Sequence, residues 1–165
     1  MSKTIILDQA GIANRIRRIA YQIYEVNTNE KEIILAGIDK NGYIFAKRLV
    51  KVLQDISDLK VTLCKVEVNK KAPLEPIKTS IPSADYTNKS IVVVDDVLNG
   101  GTTLMYAVKH FLDVPLKQIK TAVMVDRNHK KFPIKVDFKG ISLSTSMQNH
   151  IEMVFLDKGD EAYLE

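Results

Sequence analysis

The chain lacks the cysteines that an internal disulfide would require. Cys64 is the single cysteine among 165 residues, and it lies in the alternating segment VTLCKVEV, which favours a buried thiol. No apolar run approaches the roughly 20 residues that cross a membrane. The first residues also lack a charged-then-apolar export signal. We therefore expect a cytoplasmic protein with no membrane partner.

Several familiar site motifs are missing as well. The chain has no Gly-x4-Gly-Lys-Ser/Thr phosphate loop and no GxGxxG dinucleotide loop. Its histidines, carboxylates and single cysteine show neither metal-ligand spacing nor the pattern of a nucleophile with a histidine base. The sequence therefore predicts no metal held directly by side chains and argues against these two nucleotide-binding classes.

Composition describes an ordinary globular protein. With 45% hydrophobic and 27% charged residues, the chain is long enough for one buried core, and we expect a single domain over residues 1–165. The net charge of +4 and the pI near 9.0 suit phosphate ligands, nucleic acid or plain solubility equally. Charge alone does not identify the partner.

Hydrophobic periodicity predicts an α/β fold. Helical spacing covers residues 8–28, 43–56 and 103–112, with Asp8 as the first N-cap, while apolar strands cover 32–38, 61–68, 91–94 and 119–126. Strands that alternate with helices and are apolar on both faces indicate a mostly parallel, twisted sheet flanked by helices. The segments 137–143, 151–156 and 161–165 predict further strands with an antiparallel finish. Residues 69–88 contain Pro73, Pro76 and Pro82 with little periodicity, so we interpret them as a flexible hood.

The stretch IVVVDDVLNGGTTL, residues 91–104, carries the clearest functional signal. Asp95 and Asp96 follow an apolar strand, where carboxylates can accept hydrogen bonds from the paired hydroxyls of a ribose. The next turn can present backbone amides and hydroxyls to a phosphate at a helix N-terminus, and one threonine can cap that helix. This turn comprises Asn99, Gly100, Gly101, Thr102 and Thr103.

Two other interpretations explain part of the same stretch. A purely structural turn uses the same residue types, but two acids, two glycines and two threonines exceed what a turn requires. In a phospho-acceptor receiver domain the acidic pair ends the first strand, whereas here about ninety residues precede it. A ribose 5-phosphate site is the favoured hypothesis.

A second loop, residues 38–42, is a weaker candidate. Gly37 and Gly42 bracket it after another strand, where Lys40 can reach an anion. A plain strand-to-helix turn explains the same residues equally well.

At this level of detail the chain resembles the type I phosphoribosyltransferases. Residues 91–104 resemble their phosphoribosyl-diphosphate (PRPP) motif. LAGIDKNGYIFAKRL and VDRNHKKFPIKVDFKGISLSTS resemble the pyrophosphate loop and base-side segment of the family of bifunctional pyrimidine-operon attenuators and uracil phosphoribosyltransferases. The resemblance implies the type I fold, transfer of ribose 5-phosphate from PRPP to a pyrimidine such as uracil, release of pyrophosphate, and Mg²⁺ carried by PRPP.

The resemblance also implies residue roles. Asp95 and Asp96 would be catalytic, holding the ribose hydroxyls and the developing positive charge, and the turn that follows would hold the 5-phosphate. The pyrophosphate loop would comprise Ile38, Asp39, Lys40, Asn41 and Gly42. The base side would comprise Val136, Phe138 and Lys139, although the residues alone favour Phe138 as a core aromatic.

Three departures from the family pattern bear on activity. The hood reads EVNKKAPLEPIK and lacks the family's Tyr-Arg-Asp-Asp stretch, so Lys70, Lys71 or Lys78 would have to replace the closing arginine. Asn41 stands where an arginine is expected, and Gly100 stands where a threonine is expected. The alternative function is therefore a non-catalytic regulator that senses pyrimidine nucleotides and binds RNA.

Basic residues supply the RNA hypothesis. Related attenuators bind RNA, and the candidate contacts are Arg15, Arg18, Arg127, His129 and Lys130. A solvated basic surface explains these residues without RNA, because the chain offers no set of aromatic residues for base stacking. We further expect a homodimer or a higher homo-oligomer.

Overall fold

The computed structural model describes residues 2–144 and 149–165. Thr145 and Ser146, which belong to the expected base-side segment, lie outside the described residues. The helices are α1 (Gln9–Glu25), α2 (Asn41–Ile56), α3 (Ser83–Tyr86) and α4 (Thr102–Phe111). The strands are β1 (Thr4–Leu7), β2 (Glu32–Ile38), β3 (Lys60–Glu67), β4 (Lys78–Thr79), β5 (Ser90–Leu98), β6 (Gln118–Asp126), β7 (Phe138–Ser142), β8 (Ile151–Val154) and β9 (Glu161–Leu164).

The central sheet has the order β4-β3-β2-β5-β6-β7. Strands β3, β2, β5, β6 and β7 run parallel, and the short edge strand β4 pairs antiparallel with β3. A second, antiparallel sheet has the order β1-β9-β8. The predicted α/β fold and antiparallel finish are confirmed, and the N-terminal strand β1 joins that finish.

Helix α1 illustrates how the sequence determines an element. The Asp8 carboxylate accepts a hydrogen bond of 2.7 Å from the backbone N–H of Gly11, so Asp8 is the predicted N-cap. Ile12, Ile16, Ile19 and Ile23 recur at helical spacing, and all four are buried against the sheet.

Strand β5 is buried on both faces. Val92 and Val94 pack into the core beneath α1 and α2, whereas Ile91 and Val93 pack into the core beneath α3 and α4. Successive side chains of a strand point to opposite faces, so one apolar run serves two layers. This strand sits between β2 and β6 and carries the acidic pair.

The end of β5 was predicted wrongly. The sequence pattern stops the strand at Val94, but β5 continues to Leu98, with Val97 opposite Val125 and Leu98 opposite Asp126. The neighbouring strand β6 supplies backbone partners there, which overrides the low strand propensity of the two aspartates. Asp95 and Asp96 therefore lie within the strand.

Residues 69–88 contain more structure than their sequence indicates. Lys78 and Thr79 form β4 opposite Glu67 and Val66, and Ser83–Tyr86 forms the helical turn α3. The ring of Tyr86 meets Phe111 of α4 edge-on, with 4.9 Å between ring centroids. This end of the segment is anchored to the core, and the flexibility of the rest stays a prediction.

Candidate functional site

The two aspartates differ in exposure. Asp95 is only 5% exposed, and its carboxylate accepts a 2.9 Å hydrogen bond from the backbone N–H of Asp96. Asp96 is half-buried, and its carboxylate accepts a 2.8 Å bond from the N–H of Val97. Local amides thus orient both carboxylates at the carboxyl end of β5, where ligands of parallel sheets bind.

Close packing of α2 brings the second predicted loop beside Asp95. A Cβ on Gly42 would lie 2.7 Å from the carbonyl oxygen of Val94 and 2.9 Å from the Cα of Asp95. Both distances are shorter than real contacts allow, so the first turn of α2 requires glycine at this position. Residues 38–42 and the acidic pair consequently form neighbouring parts of one site.

The turn after β5 leads directly into α4. Gly101 has a φ of +89° and is the N-cap residue, so the helix begins at Thr102. The expectation that a threonine caps α4 was wrong, because both threonines lie inside the helix. Glycine has no side chain with which to occupy the first amides of α4, which leaves them suited to an anion.

A neighbouring loop braces this turn. The carbonyl of Gly100 accepts hydrogen bonds from the N–H groups of Lys131 and Phe132, at 2.7 and 3.1 Å. Arg127 donates from its guanidinium to the side-chain oxygen of Asn99 at 2.9 Å, and its backbone N–H donates to Leu98. No local sequence pattern indicates this bracing role, because it depends on the pairing of β5 with β6.

A cavity of about 270 Å³ lies between these elements. Its wall joins Asp95 to the whole turn and also includes Lys70 of the 69–88 segment. The lining residues are Lys70, Asp95, Val97, Leu98, Asn99, Gly100, Gly101, Thr102, Thr103 and Leu104. The structure thus brings together the first acid and every residue predicted for the 5-phosphate.

Asp95 determines the electrostatic character of the cavity. Burial, and secondly the neighbouring Asp96, raises the pKa of the Asp95 carboxyl to about 8, while the positive charge of Lys70 opposes this rise. A carboxyl with such a pKa changes charge near neutral pH, which is typical of functional sites.

The predicted pyrophosphate loop is short. Ile38 ends β2 and is buried, whereas Asn41 and Gly42 already belong to α2, so only Asp39 and Lys40 connect the elements. Asp39 pairs with Lys65 at 3.8 Å, and the exposed Lys40 leaves its ammonium group accessible.

Asn41 has an unexpected pair of partners. Its side-chain amide donates to the carboxylate of Asp96 at 3.1 Å and to the backbone oxygen of Met153 in β8 at 2.9 Å. The residue that replaces the expected arginine therefore ties the second acid to the C-terminal sheet.

The predicted base-side residues do not line the cavity with Asp95. Val136 is 9% exposed and Phe138 is 6% exposed, and they pack into the two opposite cores. Lys139 pairs with the buried Asp126 at 3.5 Å. The core role that the residues alone favoured for Phe138 is what the structure contains.

The candidate RNA contacts fall into two groups. Arg127 is only 8% exposed and donates to Asn99 and to the backbone of Asn149, so the expectation of a surface contact is corrected: its guanidinium is used inside the protein. Arg18 is exposed but donates to the backbone oxygens of Lys139 and Gly140 at 3.0 and 2.6 Å. Arg15, His129 and Lys130 are partly or largely accessible.

Metal binding by side chains alone has no support in residues 2–144 and 149–165, where no group of three or more potential ligands converges. Mg²⁺ ordinarily binds through one or two carboxylates, water and substrate phosphates. Asp39 and Asp96 are half-buried, so their carboxylates remain partly accessible. None of the described helices is long and apolar enough to span a bilayer.

Sequence comparisons agree with this geometry. The profile of the phosphoribosyl transferase domain family matches residues 2–157. The Bifunctional protein PyrR of Bacillus pumilus is 35% identical over 169 aligned positions, covering 96% of this chain and 93% of the relative. The protein of the same name from Geobacter sulfurreducens is also 35% identical, covering 92% and 90% of the two chains.

Solved structures show the same fold. The hypoxanthine phosphoribosyltransferase of Trypanosoma cruzi has a TM-score of 0.75 at 18% identity, covering 85% of this chain and 81% of the other. A hypoxanthine-guanine phosphoribosyltransferase from Bacillus anthracis has a TM-score of 0.72 at 19% identity, covering 85% and 82%. With a family profile over nearly its whole length, relatives above 30% identity and this shared architecture, the chain belongs to the phosphoribosyltransferase family.

Proposed function

We propose that the protein transfers ribose 5-phosphate from PRPP to a pyrimidine base, with uracil as the first candidate, and releases pyrophosphate. The observation that carries this proposal is the single cavity that joins the buried Asp95 to the turn 99–103. A carboxylate suits ribose hydroxyls, and the amides that open α4 suit a phosphate, so the cavity matches both halves of one ligand.

The reaction exchanges one bond at ribose C1 for another. The bond from C1 to the diphosphate oxygen breaks and its electron pair leaves with pyrophosphate, while a ring nitrogen of the base forms the new bond and loses its proton to solvent. Positive charge develops on the ribose as the old bond breaks; the carboxylate of Asp96 stabilises that charge, and Asp95 does so once it has lost its proton, near its pKa of about 8. The turn and the residues 38–42 hold the two ends of PRPP, so that C1 faces the base.

Mg²⁺ bound to PRPP would neutralise charge on the leaving diphosphate. Asp39 and the acidic pair are the carboxylates available to it or to its waters. Lys40 is accessible beside the same loop and can contact the diphosphate directly.

Incubation with PRPP, Mg²⁺ and a panel of pyrimidine and purine bases tests the proposal, with released pyrophosphate as the readout. We expect turnover with uracil. At pH 9, above the pKa of about 8 for Asp95, Asp95→Asn and Asp96→Asn should each lower kcat/KM about 100-fold or more, because a charge that stabilises the transition state is removed. The exposed Asp55→Asn change is the matched control. Absence of pyrophosphate with every base would overturn the enzymatic proposal.

A regulator that senses pyrimidine nucleotides and binds RNA is the second candidate. The relatives are named bifunctional, and residues 130–135, three of which are lysines, line a surface depression, with the Lys135 side chain 84% exposed. Asn41 also favours this candidate, because its amide is engaged by Asp96 and Met153 where the family pattern has an arginine for the diphosphate.

Binding of pyrimidine-operon leader RNA tests the regulator. We expect affinity that falls steeply with salt and responds to uridine monophosphate, since phosphate contacts release counterions. Lys130→Gln and Lys135→Gln together should weaken binding, whereas Lys51→Gln on the exposed face of α2 should not. RNA binding that is absent, or that survives the double substitution unchanged, would contradict this second function. Cytoplasmic location and homo-oligomerisation are part of the proposal for either function.

A further inference from the structure

The segment that opposes the cavity has an ordered bend at its start. The side-chain oxygen of Asn69 accepts hydrogen bonds from the N–H groups of Lys71 and Ala72, at 3.0 and 3.2 Å. Its side-chain nitrogen donates to the carboxylate of Glu75 at 2.8 Å. These bonds fix the backbone on both sides of Lys70, so the bend presents Lys70 in a defined direction.

The lysines of this segment face different places. Lys70 lines the 270 Å³ cavity together with Asp95 and the turn 99–103. Lys78 lines a separate cavity of about 310 Å³ beside Asp39 of the 38–42 loop. Lys71 is exposed and belongs to the walls of neither cavity. The sequence leaves these three lysines equivalent, and the structure separates them.

Charge explains why the phosphate cavity needs Lys70. A phosphomonoester in the turn brings up to two negative charges into a partly buried cavity, where an anion without a partner of opposite charge is costly. Among the residues that line this cavity, Lys70 is the cation.

We propose that Lys70 is a binding residue of the 5-phosphate site, where its ammonium group contacts the phosphate held by the turn 99–103 and offsets the negative charge of that phosphate. The inference rests on the proposed function, since it assumes a ribose 5-phosphate group in the cavity. It places the start of the 69–88 segment at the monophosphate end of the ligand. A hood that contacted only the diphosphate would not reach this end.

Binding of ribose 5-phosphate separates these roles, because this probe has no diphosphate. Calorimetry with the full chain and ribose 5-phosphate should show affinity about tenfold weaker for Lys70→Gln, the loss expected for one charge-assisted contact. Lys70→Arg should restore most of it, since the charge returns. Lys71→Gln and Lys78→Gln should bind ribose 5-phosphate as the unaltered protein does, and thermal melts should show that all variants fold.

The possible outcomes distinguish failure of this inference from failure of the proposed function. If Lys70→Gln binds ribose 5-phosphate normally and loses affinity only for PRPP, Lys70 acts at the diphosphate and the inference is overturned. Equal losses in Lys71→Gln and Lys70→Gln would also overturn it, because they would reflect net charge. If the unaltered protein binds neither ribose 5-phosphate nor PRPP, the proposed function fails together with the inference.

Discussion

Asp95 is deeply buried, and its burial disfavours the ionised form of its carboxyl group. Burial, and secondly Asp96, raises its pKa from 3.8 to about 8. Between those pH values the unfolded chain has lost the proton that the folded protein keeps. The free energy of unfolding therefore falls as pH rises through this window and levels off above it.

Replacement of Asp95 by asparagine tests this directly. Asparagine cannot ionise but can still accept the bond from the N–H of Asp96, so the fall in stability with pH should be smaller in the variant. We expect similar melting temperatures near pH 4 and a variant that melts about 5 °C or more higher at pH 9, since each pKa unit is worth about 1.4 kcal/mol. Thermal melts across this range check the prediction, with Asp55→Asn as the surface control. A constant difference between the parent and Asp95→Asn at all pH values would contradict it.

The β8–β9 hairpin is attached to α2 by a compact clamp. Arg48 of α2 pairs with the Asp160 carboxylate and donates to the backbone oxygen of Leu156 at 3.0 Å. The side chain of Asp160 is 7% exposed, and its other bond comes from the N–H of Leu156 at 2.8 Å. Phe155 stacks on Phe45 with 6.5 Å between ring centroids. Because α2 begins at the site, this clamp stabilises the helix that positions Gly42.

Replacing either member of the Arg48–Asp160 pair should lower the free energy of unfolding. Arg48→Met leaves Asp160 as a buried charge without its partner, and we expect a loss of about 3 kcal/mol in the free energy of unfolding by urea. The double variant with Asp160→Leu should lose clearly less than the sum of the two single changes, because neither charge is then stranded. Additive losses would show that Arg48 and Asp160 do not act as a pair.

The elements show which parts of the fold the sequence could predict. Helical spacing correctly identified α1 and α2, because their buried isoleucine, leucine and phenylalanine positions repeat on one face. The end of β5 was missed, since the partners of Val97 and Leu98 lie on β6, far along the chain. For the site, the motif 91–104 correctly grouped Asp95 with the turn. The roles of Lys70, Asn41 and Arg127 depend on contacts between distant segments, and no local pattern encodes those contacts.

The rate at which the single cysteine, Cys64, is modified measures how readily the sheet opens. Cys64 is fully buried in β3, and burial raises the pKa of its thiol, which keeps the thiolate scarce. We expect iodoacetamide to modify Cys64 over hours in the folded protein and within minutes in denaturant. Ribose 5-phosphate should slow the native reaction further, because a ligand that binds only the folded state lowers the population of open forms. Rapid modification without denaturant would show that the edge of the sheet opens on its own.

A dye attached to the C-terminal hairpin should report ligand binding, because the two hydrogen bonds of the Asn41 amide connect the site to that hairpin. One amide group contacts both Asp96 in the site and Met153 in β8. A ligand whose hydroxyls bind Asp96 and shift its carboxylate therefore also shifts the hairpin. Lys158 is exposed at the hairpin turn, and the native thiol is buried, so a maleimide dye would label Lys158→Cys selectively. The emission of that dye should change when ribose 5-phosphate binds, and Asn41→Ala should uncouple the signal while leaving the dye attached.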